Sequence, residues 1–176
     1  MTTTQPSAVA PSPSATLDAA AVLEHLKRLG VTHLIWLPDS ESAVLYDLVR
    51  RDPNLTLVQV CREGESFGVA AGLFVAGRKP VVLIQSTGFF EAGDSIRGIA
   101  LWLRLPLLLL IGYRGWQPDR RPEDTAAQYL EPVLDAWQIR HAIMRSTAEL
   151  DVVTAALAEA EAKSTPVAVL IAAEWS

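Results

Sequence analysis

The residues suited to chemistry fall in four short segments, each directly after an apolar run. LPDSES supplies Asp39 and Ser40, CREGES supplies Glu63 and Glu65, IQSTGFFE supplies Gln85, Ser86, Thr87, Gly88 and Glu91, and GYRG supplies Arg114. Acids and an arginine of this kind hold polar ligands by hydrogen bonds, and an arginine pairs with an anionic group. Each also has a plain structural use. An acid at a helix start, such as Glu63 or Glu65, stabilises the first turn by a few tenths to about 1 kcal/mol, and an Asp-Ser pair is a common helix cap. Cys61 is the single cysteine and reads as inert packing. His25, His33 and His141 read as structural, and their scatter gives no metal-ligand spacing, so no metal site is expected on this chain. There is no G-x-G-x-x-G after the first strand and no G-x-x-x-x-G-K-[ST], so dinucleotide and P-loop chemistry have no motif support.

The elements that must position these residues become regular at Thr16, which can cap a helix carrying Val22, Leu26 and Leu29 on one face and stopping at Gly30. Strands are expected at Val31–Leu37, Leu55–Cys61, Pro80–Gln85, Leu107–Ile111, Ile139–Ile143 and Pro166–Ile171. Between them the periodicity predicts a helix over Glu41–Arg51 with Val44 and Leu48 inward and Leu45 as a further candidate, and one over Glu63–Ala76 with Phe67, Ala70, Ala71 and Phe74 on one side. A turn at Ser86–Gly88 leads into a helix through Leu103, a short helix lies near Glu131–Trp137, and Ser146 with Glu149 opens the last. The loop from Gly112 to about Thr125 is long, and long loops in compact domains tend to be functional. Aliphatic strands alternating with amphipathic helices indicate an α/β fold, a three-layer open sandwich with a mostly parallel sheet of about six strands. Ligands of such sheets bind at the carboxyl ends of the strands, where all four segments lie.

Composition narrows the function classes. Half of the 176 residues are hydrophobic, enough for one packed core, and the net charge of −5 argues against nucleic acid as a partner. Residues 1–15, with three prolines, read as a flexible tail before a single domain over 16–176. The tail has no pattern of a secretory or organelle signal, and the apolar stretch Ile99–Gly112 is broken by Arg104 and Pro106. No membrane segment is expected, and the single cysteine suits a reducing cytoplasm.

Taken in order, the segments resemble the pyrimidine-binding domain of thiamine-diphosphate-dependent 2-oxoacid decarboxylases, in which a strand ends in a glutamate followed nine residues later by a glycine. Glu63 and Gly72 match that pattern. The resemblance is most specific to the sulfopyruvate and phosphonopyruvate decarboxylase group, across Gly30–Gly115. LPDSES, REGES, AGLFVAGRKP, IQSTGFFE and LPLLLLIGYRG stand where that group has a V-P-C/D-S turn, an RE-x-E segment, an AGxxxAGKKP gap, a MQNSGLGN-like turn and an IPLLLxxxxRG step.

The resemblance implies that Glu63 is the carboxylate bonded to the pyrimidine ring nitrogen of thiamine diphosphate, which activates the cofactor. It implies that Gln85, Ser86, Thr87 and Gly88 pack near the pyrimidine, with Gly88 permitting close backbone approach, and that Asp39, Ser40, Glu91 and Arg114 approach a small 2-oxoacid substrate. Two departures stand out. Glu91 replaces an asparagine and adds a carboxylate that would repel a sulfonate or phosphonate, and Asp39-Ser40 replace a Cys or Asn common at that turn. The cofactor's diphosphate and magnesium need a second domain with a GDG motif followed by an asparagine. This chain has no GDG, and its sole asparagine, Asn54, precedes the nearest imitation, Gly93-Asp94-Ser95. The resemblance therefore implies an alpha subunit completed by a beta subunit that carries the GDG-type domain and the magnesium ligands, in a heterotetramer or larger. The segment Trp102–Leu110 is a candidate for part of that contact or for core strand. A carboligase subunit, a non-catalytic pyrimidine-domain partner protein and a flavodoxin-like binding domain remain as alternatives.

Overall fold

The computed structural model describes residues 16–119, 121–122 and 124–176. The expected tail, residues 1–15, lies outside the described residues. The elements in chain order are β1 (Thr16–Leu17), α1 (Ala19–Arg28), β2 (His33–Trp36), α2 (Ala43–Val49), β3 (Thr56–Gln59), α3 (Glu63–Val75), β4 (Pro80–Gln85) and α4 (Ser86–Glu91). There follow α5 (Gly93–Ser95) running into a π-helical turn (Ile96–Leu101), β5 (Leu108–Gly112), α6 (Thr125–Ala136), β6 (Arg140–Met144), α7 (Asp151–Lys163), β7 (Val167–Ile171) and β8 (Glu174–Trp175).

Six strands form one sheet in the order β3-β2-β4-β5-β7-β6, and every neighbouring pair is parallel. Side chains of a strand alternate between faces, so a continuous aliphatic run supplies two cores at once. In β5, Leu108 and Leu110 join the core under α1 and α7, while Leu109 and Ile111 join the core under α3, α4 and α6. β4 divides the same way, Val81 and Leu83 against Val82 and Ile84. The chain leaves β2 toward β3 on one side and leaves β4 toward β5 on the other. This reversal opens a crevice at the carboxyl ends of β2 and β4, the usual ligand position in a doubly wound sheet.

Several local expectations are corrected. Thr16 does not cap the first helix: Thr16 and Leu17 pair with Glu174 and Trp175, and the Oδ1 of Asp18 accepts from the Ala21 N–H at 3.1 Å instead. Helix α2 starts at Ala43 rather than Glu41; the candidate Leu45 does face inward, joined by Val49, while Val44 and Leu48 stay exposed. On α3, Phe67 and Ala70 are buried but Phe74 is exposed. The segment Ser86–Gly88 is already helical, since α4 begins directly at the end of β4. No helix among the described residues is long and apolar enough to cross a membrane.

Candidate active site

Glu63 is the first residue of α3, and two other acids fix that helix start. The Oε2 of Glu65 accepts from the backbone N–H groups of Cys61 at 2.9 Å and Arg62 at 3.3 Å, which satisfies donors just ahead of the first turn. Glu91, at the end of α4, accepts from the Gly64 N–H at 2.9 Å and from Nε and Nη2 of Arg62 at 3.0 and 2.5 Å. The Arg62 bond first, and the Gly64 N–H second, hold the Glu91 carboxyl below its ordinary range. Glu91 thus ties α4 to the start of α3. Its charge is paired with Arg62, which offsets the repulsion of an anionic substrate that the sequence implies.

That tie brings Glu63 onto α4. Gly88 is buried one turn into α4, and a Cβ built on it would stand 2.5 Å from Cγ and 2.7 Å from Oε1 of Glu63. Any side chain at position 88 would therefore have to displace Glu63 from this place. The Glu63 carboxylate accepts no hydrogen bond from the described residues. Ser86 is buried at the start of α4, Gln85 is half-buried at the strand end and Thr87 is exposed.

Across β4 a second group gathers after β2. Asp39 organises its own turn: Oδ1 accepts from the N–H groups of Glu41 at 2.7 Å and Ser42 at 2.8 Å, and Oδ2 accepts from the Ser42 hydroxyl at 2.7 Å. The Ser42 oxygen in turn accepts from the Trp36 indole at 2.7 Å, so the turn is locked to β2. Both Asp39 oxygens are engaged in that cap, and Ser40 is exposed at the tip. Arg114, after β5, donates to Oδ2 of Asp124 at 3.1 Å and stands 3.5 Å from Oε1 of Glu41. Asp124 caps α6 through the Ala126 N–H at 2.8 Å. The arginine thus straps the loop after β5 to α6 and to the turn after β2.

Glu41 was not singled out by sequence. It lies between Asp39 and the start of α2, and reaches over the end of β4 to β5: a Cβ on Gly112 would stand 3.1 Å from its Oε2, beside Gln85. Burial pushes its carboxyl above the usual range. The structure therefore gathers Glu63, Gly88 and Glu91 where α3 meets α4, and Asp39, Arg114 and Gln85 around Glu41.

Residues 18–117, more than half the chain, match the family model described as thiamine pyrophosphate enzyme, N-terminal TPP binding domain. The chain belongs to this family. Among curated relatives it is 28% identical over 120 residues to sulfopyruvate decarboxylase subunit alpha of Methanocaldococcus jannaschii, covering 68% of this chain and 71% of that one. It is 26% identical over 146 residues to sulfopyruvate decarboxylase of Methanosarcina acetivorans, covering 82% of this chain but 37% of that protein. Phosphonopyruvate decarboxylase of Streptomyces viridochromogenes is 28% identical over 107 residues, with 61% of this chain and 27% of the relative covered.

The residues present fit the pyrimidine half of thiamine diphosphate. A ring N–H or amine needs an acceptor with an open lone pair, and the Glu63 carboxylate offers one at the strand-end crevice where Gly88 leaves no side chain.

Proposed function

We propose that this chain is the alpha subunit of a split thiamine-diphosphate-dependent 2-oxoacid decarboxylase of the sulfopyruvate or phosphonopyruvate type. The observation that carries the reading is the Glu63 carboxylate, open to a donor and seated against Gly88 at the carboxyl edge of the sheet. The sulfopyruvate decarboxylase subunit alpha relatives support a partner chain; in this reading the partner carries the GDG-type diphosphate domain and the magnesium ligands. Bound thiamine diphosphate supplies the electron sink that makes loss of carbon dioxide possible. Glu63 would hold the pyrimidine by one hydrogen bond to its ring nitrogen, and its carboxyl would supply the proton that this nitrogen needs for the imino tautomer. Gln85, Ser86, Thr87 and Gly88 form the backbone wall beside that ring, and Glu91 holds Glu63 in place through Gly64. Asp39, Ser40 and Arg114 shape the substrate side.

The test is carbon dioxide release from sulfopyruvate, phosphonopyruvate and pyruvate by this chain co-expressed with a GDG-containing partner, with cofactor and magnesium. Release is expected only with both chains present. Glu63→Gln, which keeps size but removes the basic carboxylate, is expected to lower turnover by about 100-fold or more while the thermal midpoint moves little. Undiminished turnover in that variant would sink the reading.

A further inference from the structure

Glu41 is a carboxyl that neither the fold nor the Glu63 contact requires. It stands over the crevice: its Oε2 faces Gly112 and Gln85, and a Cβ on Gly112 would come within 3.1 Å of it. Its Oε1 is buried and accepts no hydrogen bond. Arg114 Nε is 3.5 Å away, an ion-pair distance without hydrogen-bond geometry, and the same guanidinium is already held by Asp124. The side chain as a whole keeps 27% of its surface exposed, so a ligand in the crevice can reach it.

The charged groups around Glu41 do not compensate its ionisation. Burial is the largest influence and favours the neutral acid; Arg114 on the loop after β5 favours the anion; Asp39 on its own turn and Asp124 at the start of α6 favour the acid. A buried carboxylate oxygen without a hydrogen bond is costly, whereas a neutral carboxyl is tolerated and gains an O–H donor. A 2-oxoacid carries a carboxylate at every ordinary pH. An ionised Glu41 would repel it, and a neutral one would orient it.

Resting on the decarboxylase reading of this site, we propose that Glu41 is a substrate-facing residue that donates a hydrogen bond, as the neutral acid, to the carboxylate of the 2-oxoacid. Glu63 then meets the cofactor on one side of the β4 end while Glu41 meets the substrate on the other. No proton changes owner in this contact: the donor keeps its O–H bond and the substrate keeps its charge.

The alternative is a structural strap, an ionised Glu41 holding Arg114. The two roles have opposite pH signatures, readable on the full chain without cofactor. A carboxyl whose folded pKa is raised binds more protons folded than unfolded, so its stabilisation is present at low pH and lost as pH rises from about 4.5 through the raised value. The thermal midpoint of the wild type relative to Glu41→Gln should therefore fall as pH rises over that window and then level. A difference that stays constant, or that grows with pH as a strap demands, overturns the proposal.

The second readout is KM for sulfopyruvate and for pyruvate in the complex with the partner chain. Wild-type KM should rise with pH through the same window. In Glu41→Gln, whose amide still donates, KM should be raised about tenfold or less and lose that pH dependence; in Glu41→Ala it should rise about 10- to 100-fold with kcat less affected. A pH-dependent KM surviving in Glu41→Gln overturns the substrate role. A wild-type complex inert on every 2-oxoacid overturns the decarboxylase reading and that role with it, while a falling midpoint difference would still establish Glu41 as the neutral acid.

Discussion

The Glu63 side chain lies so close to Gly88 that one methyl group on the glycine would stand 2.5 Å from the glutamate Cγ. Two motifs far apart in sequence, the helix start after β3 and the helix start after β4, therefore form one unit. Gly88→Ala should displace Glu63 rather than unfold the domain, because the side chain can rotate and the buried backbone of α4 cannot. The expected stability change is within about 1 kcal/mol, since the group that moves is a half-buried side chain and alanine is the better helix former, with a much larger loss of cofactor-dependent turnover. Parallel denaturant melts and carbon dioxide assays on the partnered chain decide this; a variant with full activity would show that the contact does not position Glu63.

The tie that creates this contact should be sensitive to acid. The Glu91 carboxyl is held below its ordinary value by Arg62 and the Gly64 N–H. A depressed carboxyl stabilises the folded state above its unfolded pKa of about 4.5 and loses that contribution as pH falls through the lower folded value. Glu91→Gln should accordingly melt below the wild type at neutral pH, with the gap closing in acid. Arg62 is largely exposed, so the gap should be small and should shrink in high salt. A gap independent of pH and salt would point to packing instead.

The strand runs were legible because each core strand buries both faces, which leaves an aliphatic stretch bounded by turn residues. What was not legible has physical reasons. The frame of α2 slipped because Asp39 takes the N–H groups of Glu41 and Ser42 into its turn, delaying the helix to Ala43 and rotating Leu45 and Val49 inward. The pairs Thr16–Leu17 and Glu174–Trp175 are too short to show any periodicity. Glu63 and Gly88 stood out through their motifs, but their mutual contact did not. Glu41 had no local signal, since what makes it unusual is burial over Gly112, a residue that only the sheet brings near.

Buried polar atoms are nearly always hydrogen-bonded in folded proteins, and the Ser66 hydroxyl, fully buried on α3 one turn after Glu63, has no partner among the described residues. The bare hydroxyl carries a desolvation penalty that nothing returns. Ser66→Ala should raise the unfolding free energy by about 1 kcal/mol, seen as a higher denaturant midpoint with an unchanged slope. A lower midpoint would mean that the hydroxyl finds a partner, such as an ordered water.

Behind the loop after β5, the Tyr113 hydroxyl donates to Oε1 of Glu131 at 2.6 Å, and Nε2 of His141 lies 3.3 Å from the other carboxylate oxygen. Burial first, and then the Glu131 carboxylate, push the Tyr113 phenol far above its ordinary pKa. This bond connects the segment bearing Arg114 to the middle of α6, whereas Asp124 connects it to the start of α6. Tyr113→Phe keeps the ring packed beside Trp116 and removes only the donor. Hydrogen bonds to charged groups contribute about 1.5–3 kcal/mol, and the partly exposed Glu131 places this one near the lower end. The variant should melt lower by that amount and exchange the amide hydrogens of Tyr113 through Trp116 faster, since Arg114 is then the remaining side-chain tie from this segment to α6. Unchanged exchange with a lower melting point would confine the role of the bond to α6.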